Sequence, residues 1–372
     1  FHQFTSRRVP VKSIFEALHE QGYSCSLFYS SFFSYTGFGD FLRNRGLDAM
    51  YDAESMPGPR STKPVTWGLR EEETLAAMRE QIKNYAKGSR HFFLTYVPAA
   101  PHFPYDNIPR EFRKRKITTV GDCTPRYLNS LLFMDWVIHS LLAQLEESGL
   151  LDKTLVIITN DHGEMLGGDG GPIGLGWAIK PALVNTPLII MDPLHPGYHV
   201  NYAVGSQVDL LPTILGRLNL PLPAGQLYEG RSLDSPGERS GRVAYLNSYR
   251  DCAVLSGSQL LIGGRELASP STPNAISAAY RITNDAQKTV FLTTTPSTQL
   301  QFSVRRFEAF QANLLENYAV YCSYPRQEPR TPSGKPDNVD PHEPRGTAGG
   351  MPLATAQPAV PGSPASRQVL LH

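Results

Sequence analysis

The chain has 372 residues, 41% hydrophobic and 19% charged, with 35 lysines and arginines against 34 aspartates and glutamates. That length buries a full core without disulfide or metal staples, and the even charge excludes electrostatic capture of nucleic acid as a main function. No run approaches the roughly 18–20 consecutive apolar residues of a membrane span. No basic-then-apolar signal segment opens the chain, which starts at Phe1 and so reads as processed or truncated. The four cysteines, Cys25, Cys123, Cys252 and Cys322, show neither C-x-x-C pairing nor zinc-site spacing and read as small buried thiols.

In chain order, Val11–Gln21 carries Val11, Ile14, Phe15 and Leu18 on one helical stripe, with Gly22 in the place of a helix C′ residue. Tyr23–Tyr29 suits the strand that should follow. Glu71–Lys87 is a second amphipathic helix, stopped by Gly88, and leads into the aromatic, β-branched run His91–Val97, which predicts a buried strand. The longest helix is predicted over Pro125–Ser148, capped by Thr124 and ended by Gly149. Its expected stripe is Leu128, Leu131, Leu132, Ile138, Leu141, Leu142 and Leu145, with Asp135 falling on it as a locally satisfied carboxylate. Thr154–Thr159 and Pro187–Met191 are near-continuous apolar strands. Strands of this kind separated by helices predict a mainly parallel sheet covered on both faces, an α/β core over residues 1–228.

Between 229 and 322 the pattern shifts to short strand-like runs at Val243–Leu246, Leu260–Ile262 and Val290–Thr293, then a helix around Val304–Tyr318, predicting a smaller α+β subdomain. Ten of the 31 prolines fall between Pro325 and Pro364. Residues 323–372 therefore read as a disordered tail, because such a composition buries too little apolar surface to offset ordering.

In an open parallel sheet ligands bind beyond the carboxyl ends of the strands. After Ile158 the chain reads Thr159-Asn160-Asp161-His162-Gly163-Glu164, a cluster of hard oxygen and borderline nitrogen donors suited to a divalent cation. After Val97 it reads Pro98-Ala99-Ala100-Pro101-His102-Phe103-Pro104-Tyr105, where prolines stiffen the loop on either side of His102. An imidazole held there could donate to an anionic oxygen or protonate a leaving group.

Three ordered stretches resemble the sulfatase-like branch of the alkaline phosphatase superfamily, which holds sulfatases, phosphonate monoester hydrolases, lipoteichoic acid synthases and lipid A phosphoethanolamine transferases. Arg90–Tyr105 is similar to that family's strand followed by an H-x-P-[YF] loop. Tyr127 through Glu164 is similar to its long helix running into a strand that ends in D-[HN]-G. Thr186–Ile190 followed by Val208–Thr213 is similar to its paired P-l-i-i and D-l-x-P-T segments. The agreement spans roughly residues 10–235.

The resemblance implies an alkaline phosphatase-like fold, a divalent cation (Ca²⁺, Mn²⁺, Zn²⁺ or Mg²⁺), a covalent Thr, Ser or formylglycine nucleophile, and in-line attack on an anionic sulfate or phosphate ester. By that match Asp161 and His162 are metal ligands, and His102 contacts the tetrahedral anion or the leaving oxygen. It also implies a site of action in the periplasm, outside the cell or at a membrane, with any membrane link carried by a missing N-terminal part.

Two departures qualify the match. The family's nucleophile lies upstream of the helix that is here Val11–Gln21, and Phe4-Thr5-Ser6-Arg7-Arg8 lacks the C-x-P-x-R motif, so Thr5 and Ser6 are weak substitutes. Where many relatives carry a histidine, this chain has Leu175, which can neither ligate a metal nor donate a hydrogen bond; Lys180 is a speculative replacement. A metal-dependent ester hydrolase is the first expectation. A phosphoglycerol or phosphoethanolamine transferase and a catalytically silent scaffold are the rivals.

Overall fold

The structure is a computed structural model that describes residues 12–58, 67–114, 124–166, 173–174, 179–224, 230–235, 242–248, 251–264, 276–282, 289–291 and 368–371. Thr5, Ser6, Leu175, Cys123, Cys322 and the helix expected around 304–318 lie outside them.

Helix α1 (Ile14–His19) is shorter than the expected Val11–Gln21 and starts at a reciprocal cap: Ser13 Oγ accepts from the Glu16 amide, and Glu16 Oε2 accepts from the Ser13 amide. It turns through Gly22, at φ +84°, into β1 (Ser24–Tyr29). A short helix, α2 (Phe38–Leu42), and β2 (Ala49–Tyr51) follow, then α3 (Glu71–Lys87) and β3 (Phe92–Val97). Helix α4 (Thr124–Glu147) leads to β4 (Thr154–Thr159), the two-residue strands β5 (Met165–Leu166) and β6 (Ile173–Gly174), α5 (Pro181–Val184), β7 (Leu188–Met191) and α6 (Leu210–Arg217). Five antiparallel strands close the described order before the tail: β8 (Val243–Asn247), β9 (Asp251–Ser256), β10 (Gln259–Gly264), β11 (Ile276–Ile282) and β12 (Thr289–Phe291). The last element is β13 (Gln368–Leu371).

The main sheet has the order β2-β1-β3-β13-β4-β7 and is parallel except for β7, which runs antiparallel to β4. The fold is thus the expected α/β layer with a smaller antiparallel sheet, β12-β11-β10-β9-β8. Strand side chains alternate between two cores, as the period of two requires. Phe92, Leu94, Tyr96 and Val156 pack with Met78 and Ile82 of α3 and Phe133, Val137 and Leu141 of α4. Phe93, Leu155 and Ile157 face the opposite side with Phe15 and Leu18 of α1 and Ile214 and Leu215 of α6.

Two expectations need correction. The buried face of α4 is Phe133, Met134, Val137, Leu141 and Leu145; Leu131 and Leu132 are about 40% exposed and Asp135 faces solvent. The predicted stripe slipped because leucines occur all round this helix, and the Phe112, Phe133 and Trp136 rings pack together to fix its rotation. The second correction is β13, four residues from the stretch expected to be a disordered tail, which lies in the middle of the main sheet.

Cys25, on β1, is buried, and burial together with the Asp48 carboxylate pushes its thiol up to about 12. It is an inert packing group, as its sequence context suggests. Gly68 is a closer constraint. It sits at φ +134°, and an added Cβ would lie 1.8 Å from the Ser30 carbonyl oxygen, which accepts from the Leu69 amide. Gly68→Ala should therefore destabilise the fold by on the order of 2–4 kcal/mol, read as a lowered urea midpoint at unchanged slope.

Candidate functional site

The loop after β3 is held from beneath by a buried carboxylate. Glu71, in the first turn of α3, is fully buried. Its Oε1 accepts from the amides of Ala99 and Ala100 at 2.8 Å each, and its Oε2 from Ser30 Oγ at 2.5 Å and from the Tyr96 hydroxyl. Burial pushes this carboxyl's pKa up, and the four donors pull against that. The chain beyond Ala100 is thereby fixed at its root. It then folds tightly, with the His102 amide donating to Ala99 O and the Tyr105 amide to His102 O, and with a cis bond between Phe103 and Pro104.

His102 is exposed at the tip of this loop. Its ring lies against Trp67, centroids 3.9 Å apart, and Trp67 in turn meets Tyr35 edge-on at 5.7 Å. Nδ1 is 2.7 Å from the Phe103 carbonyl. A carbonyl only accepts, so Nδ1 carries the proton and Nε2 keeps its lone pair.

The turn after β4 carries Asp161 and His162. The Asp161 side chain is 87% exposed, and its Oδ2 lies 3.5 Å from His162 Nε2. His162 Nδ1 is 2.7 Å from Gly163 O, which by the same argument leaves Nε2 as a lone-pair donor facing the carboxylate. Gln207 Nε2 donates to the carbonyls of Asn160 and Asp161 at 2.9 and 2.6 Å, tying the turn to the start of α6. The Gly163 amide donates to Leu183 O of α5. A cavity of about 250 Å³ opens beside this turn, lined by Asp161, His162, Ser206 and Gln207 and, from the antiparallel sheet, Tyr245 and Ser248.

The Asp209 motif is structural. Asp209 accepts from the amides of Ser206 and Arg231 at 2.8 Å and pairs with Arg242 at 3.0 Å, while Thr213 Oγ1 accepts from the Leu233 amide. It clamps the 230–234 segment and so positions Gln207, two residues before it.

Asp161 and His162 fit part of a divalent-cation site. A carboxylate oxygen and an imidazole nitrogen converge, and the imidazole's other nitrogen is held by a carbonyl, the usual orientation of a metal-bound histidine. Among the described residues no third His, Cys, Asp or Glu joins them. Glu164 forms no such group with them; its charge, after burial, raises the Tyr127 phenol. Lys180 is exposed just before α5. His102 is not among the residues lining the cavity. The loops carrying His102 and Asp161 follow strands separated by β13 alone, two strand spacings or about 10 Å. The field of Asp161 also reaches the other half of the sheet: Tyr29, at the end of β1, has its phenol raised by burial and additionally by the charges of Tyr35, Asp161 and Asp52.

Sequence reasoning missed Glu71, Trp67 and Gln207. The first reads as one of three solvated glutamates opening a helix. Gln207 alone carried a signal, as the polar residue two before Asp209.

Residues 2–220 match the family model described as Sulfatase. The chain is 26% identical over 234 residues to the uncharacterized sulfatase YdeN of Escherichia coli (strain K12), covering 56% of this chain and 40% of that protein. It is 21% identical over 208 residues to lipoteichoic acid synthase 1 of Bacillus subtilis (strain 168), covering 53% and 31%. The chain therefore spans well under half the length of these relatives. Among solved structures it resembles the lipoteichoic acid synthase LtaP of Listeria monocytogenes, with a TM-score of 0.67 at 17% identity over 87% of this chain and 76% of that one. It also resembles the phosphonate monoester hydrolase SpPMH of Silicibacter pomeroyi, with a TM-score of 0.55 at 16% identity over 84% and 83%. These likenesses establish the fold. With more than half of its length matched by the family model, the chain belongs to the sulfatase family, a set of ester hydrolases and transferases within the alkaline phosphatase superfamily.

Proposed function

We propose that this chain carries the metal-binding rim and the anion-contacting loop of a metal-dependent hydrolase of sulfate esters, or of phosphate esters by the same geometry. The observation that supports it best is the Asp161–His162 turn: two convergent donors, one imidazole nitrogen locked by a carbonyl, and a glutamine gripping the turn from outside.

Asp161 and His162 would hold the cation. When bound, it neutralises the non-bridging oxygens of the ester and lowers the pKa of an attacking hydroxyl. His102 would meet the ester from the neighbouring loop. With Nδ1–H committed to Phe103 O, its Nε2 accepts a proton when the ring is neutral and donates one to an anionic or leaving oxygen when the ring is charged. Glu71 and Trp67 keep that imidazole at a fixed height on the rim. The substrate is an anionic ester, and the protein works in the periplasm, outside the cell or at a membrane.

The test is turnover of an aryl sulfate and an aryl phosphate by the protein, with added Mn²⁺ or Ca²⁺ and after chelation. His102→Ala should lower kcat by about 100-fold or more, the usual worth of a positioned proton donor, with the fold intact by circular dichroism. Release of sulfate or phosphate to water supports hydrolysis. Appearance of the group on an alcohol acceptor instead identifies a transferase, and no metal-dependent turnover of either ester overturns the reading in favour of a silent scaffold.

A further inference from the structure

The cavity beside the Asp161–His162 turn is lined by two chemically different sets of residues. Asp161, His162, Ser206 and Gln207 bring polar groups to it from the rim of the main sheet, while Ile179, Leu183, Val184, Ala244, Leu246 and Leu255 line it with hydrocarbon. The apolar set belongs to one cluster: Ile179 is buried with Ala253, Leu260 and Ile262 of the antiparallel sheet, and Val184, Leu246 and Leu255 pack against them while staying partly exposed. Leu183 and Ala244 are buried as well. Two hydrogen bonds hold this wall to the turn. The Gly163 amide donates to Leu183 O at 2.8 Å, and the Ile179 amide donates to Asp251 Oδ2, at the start of β9, at 3.1 Å. Both candidate cation ligands and the apolar wall therefore border one space of about 250 Å³.

We infer that this cavity receives the alcohol part of the ester, and that this part is a hydrocarbon chain rather than a sugar. The inference rests on the proposed ester chemistry for placing the anionic head at Asp161 and His162. What lies behind the head is set by the wall. A polyhydroxylated ring laid against it would lose water from hydroxyls that find no new partner, because aliphatic side chains neither donate nor accept. An alkyl chain meets no such cost, and each methylene leaving water adds favourable transfer energy. The volume lies just below the roughly 300–1,000 Å³ of pockets for drug-sized ligands, so a chain on the order of eight carbons fills it. Val184, Leu246 and Leu255 are the wall residues with surface left for that chain to cover. Leu246 and Leu255 come from β8 and β9, which makes the smaller sheet the part of the protein that selects the substrate.

The test separates the wall from the chemistry by using the alcohol alone. In calorimetric titrations of the intact protein without a divalent ion, 1-octanol should bind at least about tenfold more tightly than 1-butanol, and galactose should show no binding. Leu255→Gln should bring the two alcohols to within about threefold of each other. Leu246→Phe, which keeps the wall apolar but fills the space, should weaken octanol at least about fivefold and serves if the glutamine variant fails to fold. With Mn²⁺ or Ca²⁺ present, octyl sulfate or phosphate should be turned over with a kcat/KM at least about tenfold above the matching galactose 6-ester. An octanol preference without turnover of either ester removes the proposed reaction and leaves the preference of the cavity for a hydrocarbon chain standing. Equal affinity for octanol and butanol overturns the inference whatever the turnover, and so does turnover that favours the galactose ester. An octanol preference unchanged in both variants overturns it too, because the chain then binds elsewhere.

Discussion

Glu71→Ala is expected to destabilise the protein by about 3–5 kcal/mol, the cost of stranding several buried donors at once. The carboxylate takes hydrogen bonds from Ser30, Tyr96, Ala99 and Ala100 in a space closed to water. Alanine removes the acceptor of the Ala99 and Ala100 amides, leaves the Ser30 hydroxyl to Thr74 Oγ1 at 2.9 Å, and opens a cavity between α3 and the β3 loop. Glu71→Gln should be milder, because the amide keeps one accepting oxygen and the Ser30 and Tyr96 hydroxyls can rotate to accept from its nitrogen.

The pH dependence separates the two substitutions. Burial raises the folded carboxyl above its unfolded value of 4.5, so the native state holds this proton more tightly than the unfolded chain. The resulting stabilisation is fully present below pH 4.5 and is lost as pH rises through the folded value. Glu71→Gln should flatten that segment of the stability curve, measured as urea midpoints across the acidic range. An unfolding free energy for Glu71→Ala within about 1 kcal/mol of wild type would show that the network contributes little. The same variant should speed amide exchange at Ala99 and Ala100, since those two bonds tie the His102 loop to α3.

What the sequence disclosed divides along a physical line. Strands β3 and β4 were legible because a central strand buried on both faces must be a short continuous apolar run, and helix α3 because its apolar residues recur on one face with glycine beyond its end; β7 has the same apolar run but lies at the sheet edge, antiparallel and with Leu188, Ile189 and Met191 exposed. The chemistry of the β4 turn was legible too, since Asp161, His162 and Gly163 are adjacent in the chain and lie at a strand's carboxyl end. Features made by distant residues were hidden. Glu71 looks identical to Glu72 and Glu73 until α3 packs its first turn under the β3 loop. Trp67 meets His102 only because Gly68 lets its segment pass within van der Waals range of the Ser30 backbone. The rotation of α4 was misjudged because leucines surround it, and aromatic packing rather than periodicity selects the buried face. Nothing in Gln-Val-Leu-Leu distinguishes a central strand from a tail, since pairing partners more than two hundred positions away decide it.

Asp161→Ala should abolish most of the chain's affinity for a divalent ion. A titration of the intact protein with Mn²⁺ or Ca²⁺, followed by calorimetry, is expected to show at least a 100-fold weaker dissociation constant in this variant, and a comparable loss in His162→Ala. Either change takes one of only two convergent donors among the described residues. Asp161 is largely accessible and His162 about a third so, and neither replacement should lower the unfolding free energy by more than about 1 kcal/mol. That combination, lost binding at unchanged stability, is what distinguishes a ligand from a structural group. Gln207→Ala is the graded control. It touches no cation but releases the carbonyls of Asn160 and Asp161, and a group that only orients ligands is worth about 10–100-fold in affinity. A loss for Gln207→Ala smaller than for Asp161→Ala, with His102→Ala unaltered in metal affinity, would place the cation on the β4 turn and the anion contact on the β3 loop. Metal affinity unchanged in Asp161→Ala would remove the cation from this turn and with it the proposed chemistry, while leaving the fold and its family untouched.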